Sequence, residues 1–208
     1  MIKLKDLLKL DKMKYAKSIK PRHQRRIDLP SKHINEVQVK HMPPPDNSSR
    51  TTRQELEWLK NYNDGKVDEE VVKRGDKPKK LFKEYCEENN LEYPKEYIKE
   101  LIDESGRIIY KLKYKFNRPR PYQVADFLGI DLPKNTLESM KTPSYPSGHS
   151  IQGIFIAKVL SKMYPKHKKQ LMEIGKMVSN SRLMARAHYP SDTKLGEKIG
   201  ELLFLNLK

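Results

Sequence analysis

The sequence predicts an all-α protein: a single-domain helical bundle with a basic N-terminal arm and a long proline-rich loop. Three observations carry this prediction. Apolar residues recur at helical spacing through most of the chain after residue 46. Valine, isoleucine and threonine are sparse and do not alternate with polar residues, so strands are hard to place. A chain of 208 residues, 36% of them hydrophobic, is long and apolar enough for one core.

The first part of the chain, residues 1–45, is predicted to be the arm, and residues 46–208 the helical domain. The arm clusters Arg22, His23, Arg25 and Arg26 and ends in consecutive prolines at 43–45. The net charge of the protein is +16, which would attract polyanions such as nucleic acid or an anionic membrane surface. The alternative is that the lysines only solvate helix faces.

The helices are predicted in order along the chain. Within the arm, the leucines among lysines in residues 2–10 have the period of a short amphipathic helix. Thr52 and Glu55 have capping-box spacing at the start of the next helix, in which Trp58 is expected in the core. A short helix is expected near residues 68–74, a further one opens at Pro78, and a long one covers residues 95–116.

Prolines end this long helix, and residues 119–146 are predicted to form the long loop, a feature that is usually functional in a compact domain. Ser147 is predicted to cap the following helix. Another helix is expected from about residue 166 to 187, and Asp192 is expected to cap the last one. Gly196 and Gly200, one helical turn apart in that last helix, are expected to allow close helix packing.

The sequence also bears on compartment and cofactors. No apolar run approaches the roughly 20 residues that cross a bilayer, and the first residues do not resemble a secretory signal. We therefore expect a cytoplasmic protein rather than an integral membrane protein. The single cysteine, Cys86, excludes an intrachain disulfide framework and a cysteine-rich zinc site.

Three segments concentrate residues that suit a tetrahedral oxyanion. Lys111 lies seven positions before Arg118, so the two cations share nearly one helix face. Ser147 and Gly148 stand at a predicted helix start, where free amides favour an anion. The third segment supplies Arg182 and the pair His188 and Asp192.

The chemistry of these residues predicts phosphoryl transfer. Lys111, Arg118 and Arg182 supply permanent positive charge, and arginine matches the phosphate oxygens with two donors. His188 offers a nucleophilic nitrogen, and Asp192 is placed to fix its tautomer. His149, which follows Gly148, can protonate the leaving oxygen as general acid.

Together the segments resemble the three-part signature of the type-2 phosphatidic acid phosphatase and vanadium haloperoxidase superfamily. Its pattern is lysine-six-arginine-proline, then proline-serine-glycine-histidine, then serine-arginine-five-histidine-three-aspartate, and every fixed position is present between Lys111 and Asp192. The segment upstream of this signature is more weakly similar to soluble members, such as class A bacterial acid phosphatases. The similar positions are Pro43 to Ser48, Thr51, Glu55 and Leu56. The resemblance implies a helical bundle, a phosphohistidine at His188, and possible homodimers.

The resemblance further implies that His149 and Asp192 complete the catalytic set, and that the phosphate is held by Lys111, Arg118, Ser147, Gly148 and Arg182. It implies a metal-independent acid phosphatase acting on small phosphate monoesters, with vanadate binding as a phosphate mimic. A vanadium-dependent haloperoxidase and a phosphatase whose arm also binds nucleic acid or membrane remain alternatives. Arg120 is expected either to line the entrance or to be exposed.

Overall fold

The chain is built from helices, as the sequence predicts. The computed structural model describes residues 3–39, 42–133 and 137–208. In chain order its α-helices are α1 (Leu4–Asp11), α2 (Pro21–Ile27), α3 (Arg50–Asn61), α4 (Glu69–Gly75), α5 (Pro78–Glu88), α6 (Lys95–Phe116), α7 (Pro121–Leu128), α8 (Gly148–Met163), α9 (Lys168–Met184) and α10 (Pro190–Leu205). Two short 3₁₀ helices, Glu138–Met140 and Pro165–His167, complete the described elements. Within these ranges the only β-type pairing is one antiparallel bridge, between Ile34 and Leu207.

The centre of the bundle is α8. Residues 153–157 are buried without a break, so this helix has no solvent face over that stretch. It packs mainly against α9 and α10, and also against α5 and α6. The close packing expected at Gly196 is confirmed, because an added Cβ there would lie 2.7 Å from the carbonyl oxygen of Ser147. Helix α10 is thereby held against the first turn of α8.

Several boundaries differ from the sequence prediction for identifiable reasons. Helix α3 is capped by Ser49, whose hydroxyl accepts a hydrogen bond from the Thr52 amide, so the cap lies three residues before the predicted one. Helix α9 ends at Met184, because Arg186 takes a left-handed backbone conformation. Trp58 was expected in the core, but it is 45% exposed.

The predicted loop over residues 119–146 is interrupted by α7, which opens at Pro121. Proline is well tolerated at this first helical position, since its missing amide proton would have no helical partner there. The helix stops at Gly129, which has φ of +67°. What remains between α7 and α8 is still a long connection, in which residues 134–136 lie outside the described ranges.

The arm packs on the helical body along much of its described length. Leu10 of α1 joins a buried cluster with Leu56 and Leu59 of α3. In α2, the ring of His23 stacks on Tyr110 at 4.3 Å and lies 2.7 Å from the hydroxyl of Tyr114. Residues 1–2 and 40–41 of the arm lie outside the described ranges.

Two further sets of contacts tie the arm to the end of α6 and to the loop that follows α7. The Tyr15 hydroxyl donates to the carbonyl of Met140 at 2.7 Å. The side chain of Asn117, the left-handed residue that ends α6, exchanges hydrogen bonds with the backbone of Ala16. The arm therefore braces the same loop that leads into α8.

Candidate active site

The start of α8 is one side of the site. Ser147 is the N-cap residue, and its hydroxyl accepts from the Ser150 amide at 3.3 Å. Its own amide donates to the carbonyl of Asp192 at 3.0 Å, which fixes α10 against the loop. The next two amides, those of Gly148 and His149, donate to no other described residue. The predicted anion-binding end of the helix is therefore open, while the phosphate contact of Ser147 itself stays a prediction.

The second side is the pair His188 and Asp192. His188 is buried in the turn between α9 and α10, and Asp192 lies in the first turn of α10. The imidazole Nδ1 is 3.2 Å from Asp192 Oδ2. The other ring nitrogen, Nε2, is 3.0 Å from Nη1 of Arg120.

These two contacts determine the tautomer of His188. A guanidinium has donors only, so the bond from Arg120 requires an unprotonated Nε2. The ring proton therefore lies on Nδ1 and is donated to Asp192. Burial, together with the charge of Arg120, holds the pKa of His188 well below its usual value, which favours the neutral ring. The result is an imidazole whose unprotonated Nε2 accepts from Arg120.

Neighbouring polar groups stabilise the ionised form of Asp192. Burial alone would raise its pKa, but Arg118, His188 and the Ser144 hydroxyl together lower it. Arg118 donates to Asp192 Oδ1 at 2.7 Å and reaches Glu55 at 3.1 Å with its other terminal nitrogen. Behind the neutral His188, a row of alternating charge thus runs from Asp192 through Arg118 to Glu55.

This arrangement corrects the predicted role of Arg118. Its guanidinium stacks on the ring of Tyr189 at 3.6 Å and holds Asp192, so it is a positioning residue rather than part of the cleft lining. Arg120, which was expected to line the entrance or to be exposed, is fully buried beside His188.

The predicted phosphate contact of Lys111 is corrected in the same way. Lys111 is exposed and lines a different groove, together with Glu104, Arg107 and Ile108. Lys113 is buried and lines the cleft that contains both histidines. Two positions along a helix correspond to a rotation of about 200°, so the two lysines face nearly opposite ways.

A signal for the correct pair was present in the sequence. Lys113 precedes Arg120-Pro121 by the same spacing with which Lys111 precedes Arg118-Pro119. Spacing alone cannot choose between the two registers. The choice depends on which side of α6 the rest of the bundle covers, and only the structure shows this.

Lys113 and Arg120 also hold the loop that leads into α8. The ammonium of Lys113 donates to the carbonyls of Pro143 and Ser144, at 2.6 and 3.2 Å. The guanidinium of Arg120 donates to Ala187, Ser139 and Thr142 as well as to His188. Burial lowers the pKa of Arg120 to about 10, which leaves it charged at neutral pH. Burial also lowers the pKa of Lys113, an effect that Asp192 opposes. Lys113 and Arg120 are thus both held in place beside His188.

The third predicted cation, Arg182, is joined to the site by its hydrogen bond to Asp76. Its Nη1 donates to Asp76 Oδ1 at 2.6 Å and its Nη2 to the carbonyl of Val72 at 3.0 Å. The same Asp76 oxygen lies 3.4 Å from His149 Nε2, and the Asp76 carbonyl lies 3.3 Å from that nitrogen. Asp76 therefore links Arg182 to His149. Asp76 belongs to no motif in the sequence, so its place in the site was not predicted.

His149 is neutral in this arrangement. Burial and the nearby charge of Arg182 lower its pKa to about 3, although Asp76 acts in the opposite direction. A general acid must carry its proton at the working pH. A bound phosphate dianion would supply the missing negative charge and raise the pKa of His149.

The cleft between these groups has a volume of about 570 Å³. At its catalytic end it is lined by Lys113, Gly148, His149 and His188. Further out it is lined by one face of α6, the start of α5 and Arg26 of the arm. A volume of this size is typical of small-molecule sites and leaves room for much more than a phosphate group.

Across the described ranges, no helix combines the length and the apolar character needed to span a bilayer.

Part of the chain is similar to known acid phosphatases. A non-specific acid phosphatase of Salmonella typhimurium is 37% identical over 75 residues, which are 36% of this chain and 29% of that protein. An acid phosphatase of Zymomonas mobilis is 33% identical over 88 residues, which are 42% of this chain and 33% of that protein. The matches thus span at most 33% of these relatives. The sequence model of the PAP2 superfamily matches residues 105–207. That range contains both histidines, Asp192 and the buried Lys113 and Arg120 beside them, and over it the chain is similar to the PAP2 superfamily.

Proposed function

We propose that the protein is a phosphatase that hydrolyses phosphate monoesters through a phosphohistidine at His188 Nε2, without a metal ion. The observation that carries the proposal is the unprotonated Nε2 of a buried histidine, flanked by Lys113 and Arg120 at the end of an open cleft. The acid phosphatases among the relatives support the same reaction.

In the proposed first step the phosphate enters between the two cations and the open amides of Gly148 and His149. A phosphate oxygen competes for the Arg120 donor that now occupies the lone pair of His188. Nε2 then attacks phosphorus, and the bond from phosphorus to the ester oxygen breaks. Protonated His149 gives its proton to the departing oxygen, so that an alcohol leaves.

In the proposed second step water attacks the phosphohistidine. Neutral His149 takes a proton from this water, the bond from phosphorus to Nε2 breaks, and inorganic phosphate leaves. Through both steps Asp192 accepts a hydrogen bond from the Nδ1–H group and stabilises positive charge on the ring. The fixed cations provide the charge stabilisation that phosphoryl transfer needs.

The first experiment is turnover of a chromogenic aryl phosphate in the presence of a chelator, with His188→Ala as the inactive comparison. We expect metal-independent turnover with a bell-shaped pH profile, inhibited by vanadate, and a phosphorylated protein trapped by rapid quenching. Turnover that requires a metal, or a trapped phosphoryl group that survives in His188→Ala, would contradict the proposed mechanism.

Asp192→Asn tests the nucleophile more finely. An amide can donate its hydrogen to Nδ1 and thereby place the ring proton on Nε2, where it blocks attack. We expect a loss of kcat of roughly 10³- to 10⁴-fold, the size seen when a comparable histidine is held in the wrong tautomer. A loss of less than tenfold would show that Asp192 does not fix the tautomer.

A further inference from the structure

The cleft extends well beyond the phosphate end. Its lining on α6 comes from one helix face, namely Ile102, Asp103, Gly106, Ile109, Tyr110 and Lys113. From Ile102 to Lys113 the helix rises about 16 Å. Only Lys113 is needed at the catalytic end, so most of this length is available to the organic part of a substrate.

The middle of this face is apolar. Ile102 and Ile109 line it, with the ring of Tyr110 beside them, and Pro78 at the start of α5 lines the same cleft. The absence of a side chain at Gly106 leaves space that the stem of Arg26 partly occupies, 3.6 Å from where a Cβ would stand. An aromatic or aliphatic group fits such a surface better than a strongly hydrated one does.

The start of α5 brings positive charge to the cleft. Lys77, Lys79 and Lys80 all line it, and all three are exposed. Lys80 pairs with Glu84 at 3.4 Å, whereas Lys77 and Lys79 form no ion pair with any described residue.

The two carboxylates that line the cleft both form ion pairs with arginines. Asp76 is bound to Arg182, and Asp103 is bound to Arg26. Each of them is paired with an arginine and with none of the three lysines. The outer part of the cleft therefore keeps an excess of positive charge that the catalytic step does not use.

We propose that the cleft selects phosphate monoesters whose organic part carries a second anionic group, recognised by Lys77, Lys79 and Lys80. This inference rests on the proposed phosphatase function and names the substrate class for the same site. The reacting phosphate occupies the end with Lys113 and His188, the apolar part of the substrate lies along α6, and the second anion meets the lysines. A carboxylate and a second phosphate share the required chemistry.

The test compares two substrates that differ only in the distal charge: 4-carboxyphenyl phosphate and its methyl ester. The ester has the better leaving group, because its substituent withdraws more electron density, so chemistry alone favours the ester. We expect the wild-type kcat/KM at low ionic strength to be roughly tenfold higher for the carboxylate, the size that a few exposed ion pairs give. Added salt should reduce the ratio.

Two triple variants decide the origin of the preference. Lys77→Gln/Lys79→Gln/Lys80→Gln should bring the ratio to one or below. The control is Lys162→Gln/Lys166→Gln/Lys168→Gln, which removes the same charge from exposed lysines around the far end of α8. This control should keep the wild-type ratio.

Failure of the inference is distinct from failure of the proposed reaction. Equal kcat/KM values for the two substrates, or an equal loss for both in the α5 variant, would overturn distal recognition while leaving the phosphatase intact. If neither substrate reacts, binding of the two matching phosphonates, 4-(phosphonomethyl)benzoate and its methyl ester, is measured by calorimetry. Tighter binding of the carboxylate that depends on the α5 lysines would then support the inference and overturn only the reaction, and equal binding would overturn both.

Discussion

At the scale of single residues, the site depends on which groups can donate and which can accept. The unprotonated Nε2 of His188 follows from one contact, since Arg120 has no acceptor to offer. The charge of Asp192 follows from Arg118, which counteracts the cost of burying a carboxylate. Each proposed catalytic role thus depends on a neighbour that takes no part in bond making.

The two candidate lysines of α6 give a matched pair of variants. Lys113→Gln should lower kcat/KM by at least about 100-fold, because it removes a buried charge beside the reacting phosphate. Lys111→Gln should stay within about twofold, since surface charges contribute little. Kinetics with an aryl phosphate measure both. A larger loss for Lys111→Gln than for Lys113→Gln would restore the register that the sequence first favoured.

Replacing Asp76 should change the pH profile of kcat. Its carboxylate raises the pKa of His149, so Asp76→Asn should lower that pKa. The general acid would then lose its proton at lower pH, and the alkaline limb of kcat should move down by about one pH unit. The asparagine oxygen can still accept from Arg182, so the geometry is retained.

Asp103→Asn is the control for this shift. Asp103 lines the same cleft but pairs with Arg26 rather than with His149. Its profile should match that of the wild type. An unmoved alkaline limb in Asp76→Asn would show that Asp76 does not act on the general acid.

At the scale of helices, the site depends on how closely α10 approaches α8. A methyl group at Gly196 would lie 2.7 Å from the Ser147 oxygen and 2.9 Å from the Ser150 Cβ, so the helices must separate. We expect Gly196→Ala to lower the free energy of unfolding by about 1–3 kcal/mol. We also expect it to lower activity, because Ser147 begins the helix whose open amides face the cleft.

Gly129→Ala separates packing from backbone effects. An added Cβ there meets nothing within 4 Å, but φ is +67°, which costs an alanine about 1 kcal/mol. Denaturant unfolding should show a modest loss of stability, and kcat/KM should be unchanged. Equal losses of activity in the two variants would contradict the assignment of α8–α10 packing to the site.

At the scale of the whole molecule, the folded state keeps several histidines neutral. Burial lowers the pKa of His23 to about 4 and that of His149 to about 3, and it also lowers that of His188. In the unfolded chain each would bind a proton near pH 6.5. Between these values the unfolded state therefore binds more protons than the folded state, and stability falls as the pH falls.

We therefore expect the free energy of unfolding to decrease from pH 6.5 towards pH 4, by up to ~1.4 kcal/mol per pH unit for each histidine that titrates. Thermal or denaturant unfolding at a series of pH values measures the slope. In His188→Gln the slope of the free energy of unfolding against pH should be smaller, by the contribution of one titrating histidine. A stability that rises on acidification through this range would contradict the neutral state of these residues.

The extent of the agreement between sequence and structure depends on the kind of interaction. Helix α6, the start of α5 and the cap at Ser147 were predicted closely, because periodicity, proline placement and capping are local properties. Trp58 was placed in the core on residue type alone, and the bundle leaves its face open. The sequence did not indicate α2, whose packing rests on the stacking of His23 against α6.

The sequence by itself determined the helical class, the two histidines, Asp192 and the chemistry they suit, because these depend on residue types at set spacings. Only the tertiary structure decided that Lys113 and Arg120, rather than Lys111 and Arg118, stand beside His188, the proposed nucleophile. It also placed Asp76 and the lysines at the start of α5 in the cleft. These residues lie outside residues 105–207, the range that the PAP2 superfamily model matches. The physical reason is that helix spacing gives the angle between two residues, whereas the packing of the other helices decides which side is buried.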